Sequence, residues 1–163
     1  MIVVKEREAA LKTILPQLHA FKFDSGQAKP NIRTYIGLEE VKNIYDDIID
    51  TKHHMMAVVS WDDAVEFLGK EFMADFVERR AGHFLKLRLI TPKTALSQTL
   101  KQKDSATLRQ TKFLPEHIAL RRISNFIYGD KVANIIWREK TLVTIIEDKE
   151  ITGIFSSPFI IVS

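Results

Sequence analysis

The sequence predicts an α/β fold built on a mixed sheet, and three observations carry that expectation. Segments that read as strand and then helix alternate through the first half, which implies right-handed crossovers and neighbouring parallel strands. In the second half, SNFIYGDKVANIIW (residues 124–137) places two apolar runs around Gly129-Asp130, the signature of a tight antiparallel hairpin. Finally, a 163-residue chain that is 45% hydrophobic can bury one sizeable core and is too short for two ordinary domains. The expected sheet has its first three strands parallel and its last ones antiparallel, with helices on both faces.

Taken in order, the leader places Val4, Leu11, Ile14, Leu18 and Phe21 at alternating spacings of three and four, with Arg7 at the one missing position. That is a coiled-coil-like seam, interrupted by Pro16, which kinks or restarts the helix. It serves equally to pack on its own domain or to pair with a second chain. DSGQAKP (24–30) is a loop. Residues 32–36 alternate as a short strand, and the following helix gathers Leu38, Val41, Ile44, Tyr45, Ile48 and Ile49 on one face, with Glu39 and Glu40 in its favourable first turn.

Residues 55–59 form a continuous apolar strand suited to a sheet covered on both faces. Asp62 is the expected cap of the next helix, whose stripe is Val65, Leu68, Phe72 and Phe76 and whose end is marked by Gly82. Leu85, Leu87 and Leu89 alternate with Lys86 and Arg88 in a third strand closed by Pro92. Residues 94–110 read as an exposed polar helix. The hairpin follows, then a last strand at 142–147. Ile151, Ile154 and Phe155 support one or two helical turns before Pro158.

Composition narrows the function classes. The 24 Lys and Arg against 21 Asp and Glu leave a net charge of +3, with opposite signs interspersed, so the high isoelectric point is a weak pointer to nucleic acid. Cysteine is absent, which excludes disulfides and thiolate zinc sites and suits a cytoplasmic protein. MIVVKEREAALK carries charges where a signal peptide needs an apolar run, and no stretch is long enough to span a membrane. With no glycine-rich loop after a strand, no nucleotide or other cofactor is expected.

Single residues suggest little chemistry. His53 and His54 begin a strand, where neighbours point to opposite faces, so they do not share a metal ion. Asp46-Asp47 lies on the polar side of a helix, and Asp62-Asp63 opens another. No nucleophile elbow is present, and Arg121-Arg122 reads as a solvated pair.

Four strings nevertheless stand in a telling order: LPQLHAFK (15–22), KPNIRTYIGLEEVKNIYDDII (29–49), FLP (113–115) and IYGDKVANI (127–135). Their order and spacing resemble the C-terminal effector domain, in its phospholipase D-like form, of the TrmB family of prokaryotic transcriptional regulators. The resemblance implies that residues 1–23 are the end of a helical linker and residues 24–163 a phospholipase D-like effector domain. In that family a winged helix-turn-helix domain precedes the linker, and the domain after it senses a small molecule, a sugar in the best understood members. The implied partners are therefore a small effector, either a sugar or an anionic ligand, and a second copy of the chain. DNA would be met only through a winged helix-turn-helix domain lying outside these residues, and no membrane is involved.

Phospholipase D enzymes carry His-x-Lys-x-x-x-x-Asp just before a hairpin like IYGDKVA. Overlaying the hairpins puts the three positions near Arg122, Ser124 and Gly129, none of which keeps the chemistry, since a protonated guanidinium cannot attack phosphorus. The expectation is thus a non-enzyme whose ligand lies near the vestigial motif, on Arg33, Tyr35, Ser60, Trp61, Arg122, Ser124 and Asn125. Two rivals are a phosphodiesterase using His53, His54, His83 or His117, and a nucleic-acid module using Arg79, Arg80, Arg121 and Arg122.

Overall fold

The computed structural model describes residue 9 and residues 29–156. The leader seam from Val4 to Phe21, the loop up to residue 28 and the segment around Pro158 lie outside the described residues. Seven strands and four helices follow: β1 (Asn31–Ile36), α1 (Leu38–Asp50), β2 (Met55–Val59), α2 (Trp61–Leu68), α3 (Lys70–Gly82), β3 (Leu87–Thr91), α4 (Ala95–Gln102), β4 (Arg109–Phe113), β5 (Ile123–Tyr128), β6 (Lys131–Ile136) and β7 (Leu142–Glu147). A short 3-10 helix, Lys149–Ser156, ends the described chain, as its apolar spacing predicts.

The strands make one sheet in the order β1-β7-β6-β5-β2-β3-β4. β2, β3 and β4 are parallel, and every other pairing is antiparallel. The mixed α/β sheet expected from sequence is present, with two differences in its wiring. β1 does not neighbour β2 but closes the far edge against β7, pairing Arg33 with Ile145. It still runs in the direction of β2, because four successive antiparallel pairings separate them. The crossover helix α1 carries the chain over the width that the β5-β6-β7 meander later fills. The third parallel strand is β4, whose residues fall within and just beyond the stretch expected to be an exposed helix. Only Ala95–Gln102 is helical there, and Leu96 and Leu100 pack against the core. Side-chain stripes alone miss a short edge strand whose sequence, RQTKF, is mostly polar.

Two local differences follow from glycine and serine. The stripe from Val65 to Phe76 is split into α2 and α3 at Gly69, whose φ of 90° is open to glycine and strained for other residues. The cap of α2 is Ser60, whose Oγ accepts the Asp63 amide at 3.4 Å, and Asp62 accepts the Thr94 hydroxyl instead. At the predicted hairpin Gly129 has φ 53°, and β5 and β6 pair in full register from Tyr128 opposite Lys131 to Ile123 opposite Ile136.

The four described helices of residues 29–156 pack with one another on one side of the sheet, joined there by Met55, Ala57, Val59, Leu89, Phe126 and Ile135 in a single core cluster. Tyr45 of α1 is its hub, meeting Phe72, Phe76 and Phe126 edge-on at 4.7–5.6 Å between ring centres. The expected cover on both faces is therefore not what the described helices provide. The alternate residues of β2, Met56 and Val58, are only half-buried, and Ile32 and Ile36 of β1 are exposed.

Candidate functional site

Crowding four helices onto one face leaves one corner thinly covered. Above β1 and β7 the described helix that overhangs the sheet is α1, and a cleft of about 260 Å³ opens there. Its α1 wall is Glu40, Asn43, Ile44 and Asp47, spaced so that they line one helical stripe. Opposite stand Arg33 and Tyr35 of β1, Ile145 of β7 and Lys131 of β6. Arg33, Ile145 and Ala133 are cross-strand neighbours, so β1 presents its guanidinium on the helix side by register.

The cleft is wired with charge. Arg33 pairs with Glu147 at 3.1 Å, and its buried Nε has no partner. Lys131 Nζ lies 2.7 and 3.0 Å from the two Asp47 oxygens, and the Tyr128 hydroxyl donates to the same carboxylate at 2.9 Å. Burial first, and the Asp47 charge second, push the Tyr128 phenol well above its ordinary range, so it stays a donor. Asn43 donates to Glu40 at 3.5 Å. Two cations, three carboxylates, an amide and the phenols of Tyr35 and Tyr128 thus stand around the apolar Ile44 and Ile145.

The seven residues expected to bind ligand fall in three places. Arg33 and Tyr35 meet in the cleft. Ser60, Trp61, Arg122 and Ser124 cluster around the carboxyl ends of the parallel strands, where each is engaged by its own fold. Trp61 is buried, with its amide on the Thr91 hydroxyl at 3.4 Å and the Arg109 guanidinium 6.0 Å from its ring. Ser124 is fully buried and accepts the Trp137 indole N–H at 2.8 Å. Arg122, at φ 60°, donates its amide to Asp63 at 2.7 Å and its guanidinium to Glu66 at 3.1 Å, over the Phe67 ring. Asn125 points to the opposite face of the sheet and pairs with Asn134.

The residues behind the rival readings are also placed. His53 lies against Gly129, where an added Cβ would come within 3.3 Å of its ring, and His54 Nδ1 accepts the Lys86 amide at 3.2 Å. Arg79 bridges Asp46 and Asp75 at 2.9 and 2.7 Å. Arg80 is fully buried and donates to the carbonyls of Leu85, Thr107 and Leu108; burial, then the nearby Arg109, lowers its pKa to about 10. With Arg122 held by acids, three of those four arginines are committed within the fold.

Sequence reasoning missed Lys131, Asp47, Glu40 and Asn43. Asp47 was visible only as the polar side of a helix. Its meeting with Lys131, 84 residues away, needs the meander to be placed first.

No known protein-family profile matches the chain, and no curated protein matches it. Among solved structures, that of TrmBL2, described as an archaeal chromatin protein with a novel mode of DNA binding, is similar with a TM-score of 0.50 at 12% identity. The likeness covers 95% of this chain and 57% of that one, so the chain spans little more than half the length of that protein. At this identity the likeness speaks for the mixed α/β fold. Among the described residues no helix is long and apolar enough to cross a membrane.

Proposed function

We propose that this chain is the ligand-sensing and dimerising domain of a TrmB-like transcriptional regulator, without catalytic activity of its own, and that its effector sits in the cleft between α1 and β1. The observation that carries the reading is the convergence of Arg33, Tyr35, Asn43, Asp47 and Lys131 around an apolar floor. Such a setting, concave with a few polar groups fixing orientation, is what small ligands require.

The charge inventory selects among effectors. Arg33 and Lys131 are already countered by Glu147 and Asp47, and Glu40 adds a third carboxylate. An anionic ligand would displace these pairs and face the acids, whereas a neutral polyhydroxyl compound both donates to the carboxylates and accepts from the cations. The Tyr35 ring offers an apolar side for a sugar face. A sugar is therefore favoured over an anion. Because only the loop of residues 24–30 separates β1 from the leader in the sequence, a ligand drawing α1 and β1 together acts on the strand next to it in the chain.

Dimerisation rests on the leader's heptad-like spacing, and the described surface beside β1 supports it: Ile32, Ile36, Ile123 and Ile136 are exposed. A thermal-shift screen of neutral mono- and disaccharides, sugar phosphates and nucleotides tests the sensing reading. Stabilisation by a neutral saccharide at millimolar levels is expected, and a chain shifted by none of the three classes would refute it. Sedimentation at tens of micromolar tests the assembly: the intact chain should be dimeric, and removal of residues 1–20 should weaken the dimer.

A further inference from the structure

The sheet ends in two edge strands, and they are finished differently. β4 has only β3 beside it among the described strands, and its outward amides are taken by one residue: Asp104 accepts the Arg109 amide on its carbonyl at 2.9 Å and the Thr111 amide on its carboxylate at 2.7 Å. An edge whose donors are consumed in this way is closed to another strand. At the other end of the sheet, the described residues provide β1 with no such guard.

Register shows which groups β1 leaves free. Gly37 donates its amide to the Thr141 carbonyl at 2.8 Å, one step beyond the pairing of Ile36 with Leu142. Hydrogen-bonded and non-bonded pairs alternate in an antiparallel ladder, so Arg33 and Tyr35 turn their backbone groups to β7, while Ile32, Thr34 and Ile36 turn theirs to the open edge. The side chains of these three lie on the sheet face away from the helices, where Ile32 is 60% and Ile36 64% exposed. No Pro, Lys or bulge interrupts NIRTYI, although these are the usual means of blocking an edge.

An open strand fits a partner strand whose sequence answers it, and NIRTYI answers itself. Laid antiparallel about Thr34, it sets Thr34 opposite the partner's Thr34 and Ile32 opposite the partner's Ile36 on one face, and Arg33 opposite the partner's Tyr35 on the other. Every free residue then exchanges N–H and C=O with its counterpart, and each guanidinium meets an aromatic ring. Centring the pair on Arg33 instead would set two guanidiniums face to face and bring Ile36 against Pro30, which has no N–H. Centring it on Tyr35 would carry Ile32 past the end of the strand, against Leu38 of α1.

We propose that β1 is the seam of a twofold homodimer, pairing antiparallel with β1 of the second copy about Thr34 and joining the two sheets into one. The proposal rests on the dimer reading above and supplies it with a contact besides the leader. Because Arg33 and Tyr35 also line the cleft, the seam makes the partner's Tyr35 a neighbour of each cleft.

Cross-linking and sedimentation of full-chain variants test it. Thr34→Cys sets one thiol opposite its own copy, about 5.5 Å away between Cα atoms, which a disulfide can span. The chain has no other cysteine, so mild oxidation should link most of it into a covalent dimer, whereas Gln110→Cys, exposed on β4, should stay unlinked. Thr34→Pro removes an amide that points off the sheet and costs the monomer no ladder bond, yet it should weaken the dimer about tenfold. Thr34→Val keeps that amide and should dimerise as the native chain does, with near-ultraviolet circular dichroism confirming that each variant keeps its packing. A Thr34→Cys chain that sediments as a dimer without cross-linking, or an undiminished dimer in folded Thr34→Pro, would overturn the seam and leave dimerisation through another surface standing. A monomeric native chain at tens of micromolar would overturn both.

Discussion

The two halves of the sheet are covered unequally, and the difference locates the site. Over β2, β3 and β4 sit α2, α3 and α4, and polar groups caught there are tied to backbone: Arg80 serves three carbonyls, and Arg109 serves Asp104 and the Leu100 carbonyl. Over β7 and β1 the described helix that reaches is α1, and its polar stripe faces the strands across open space. In the first half buried charge closes loops. In the second it borders a cleft, where the polar stripe of α1 stands across from Arg33, Tyr35 and Lys131.

The comparison can be broken at its strong side first. Arg80→Met keeps the volume of the stem but strands the carbonyls of Leu85, Thr107 and Leu108, so it should cost about 3 kcal/mol or more, read from urea unfolding. A loss below about 1 kcal/mol would mean that the guanidinium is not what closes these loops.

Alkaline pH presses on the phenols. Burial raises the pKa of Tyr45, and burial with Asp47 raises that of Tyr128, so the folded chain keeps both protons after the unfolded chain has lost them. Their contribution is whole below about pH 10 and is lost as pH rises beyond it, at up to about 1.4 kcal/mol per unit per group. The depressed pKa values of Arg80 and Arg109, both lowered first by burial, work in the opposite sense, and that of Arg80, at about 10, falls within this range. Stability measured from pH 9 to 11 should therefore fall, and Tyr128→Phe should fall less steeply.

Smaller changes separate the cleft from the helical layer. Asp47→Asn weakens the anchor of Lys131 and Tyr128 and should cost about 1 kcal/mol, since the pair is only partly shielded. Arg79→Ala removes an exposed bridge between α1 and α3 and should cost about 0.5 kcal/mol, with sugar binding unchanged.

How much of this was legible follows from which forces act locally. The α1 stripe, the β5–β6 hairpin and the continuous β2 run are written in neighbouring residues, and the sequence places them correctly. The break at Gly69 was marked by a glycine inside a stripe that otherwise reads through it. The position of β1 was not legible, because alternation says that a strand exists and nothing about which edge it joins. Arg33 and Tyr35 could be picked as polar groups on a strand, whereas Asp47 and Lys131 acquire meaning only when β6 is set beneath α1. Ser60, Trp61, Arg122 and Ser124 drew notice by closeness to the hairpin motif, yet capping, core packing and local ion pairs engage them.

The central claim is that a small polyhydroxyl ligand binds between α1 and β1, and backbone amide shifts during titration with a neutral saccharide test it most directly. The account predicts shifts concentrated at Arg33, Tyr35, Glu40, Asn43 and Lys131, saturating together, and lost in Arg33→Ala while that variant stays folded. Shifts centred instead on Ser60, Trp61 and Arg122, or persisting undiminished in Arg33→Ala, would contradict it.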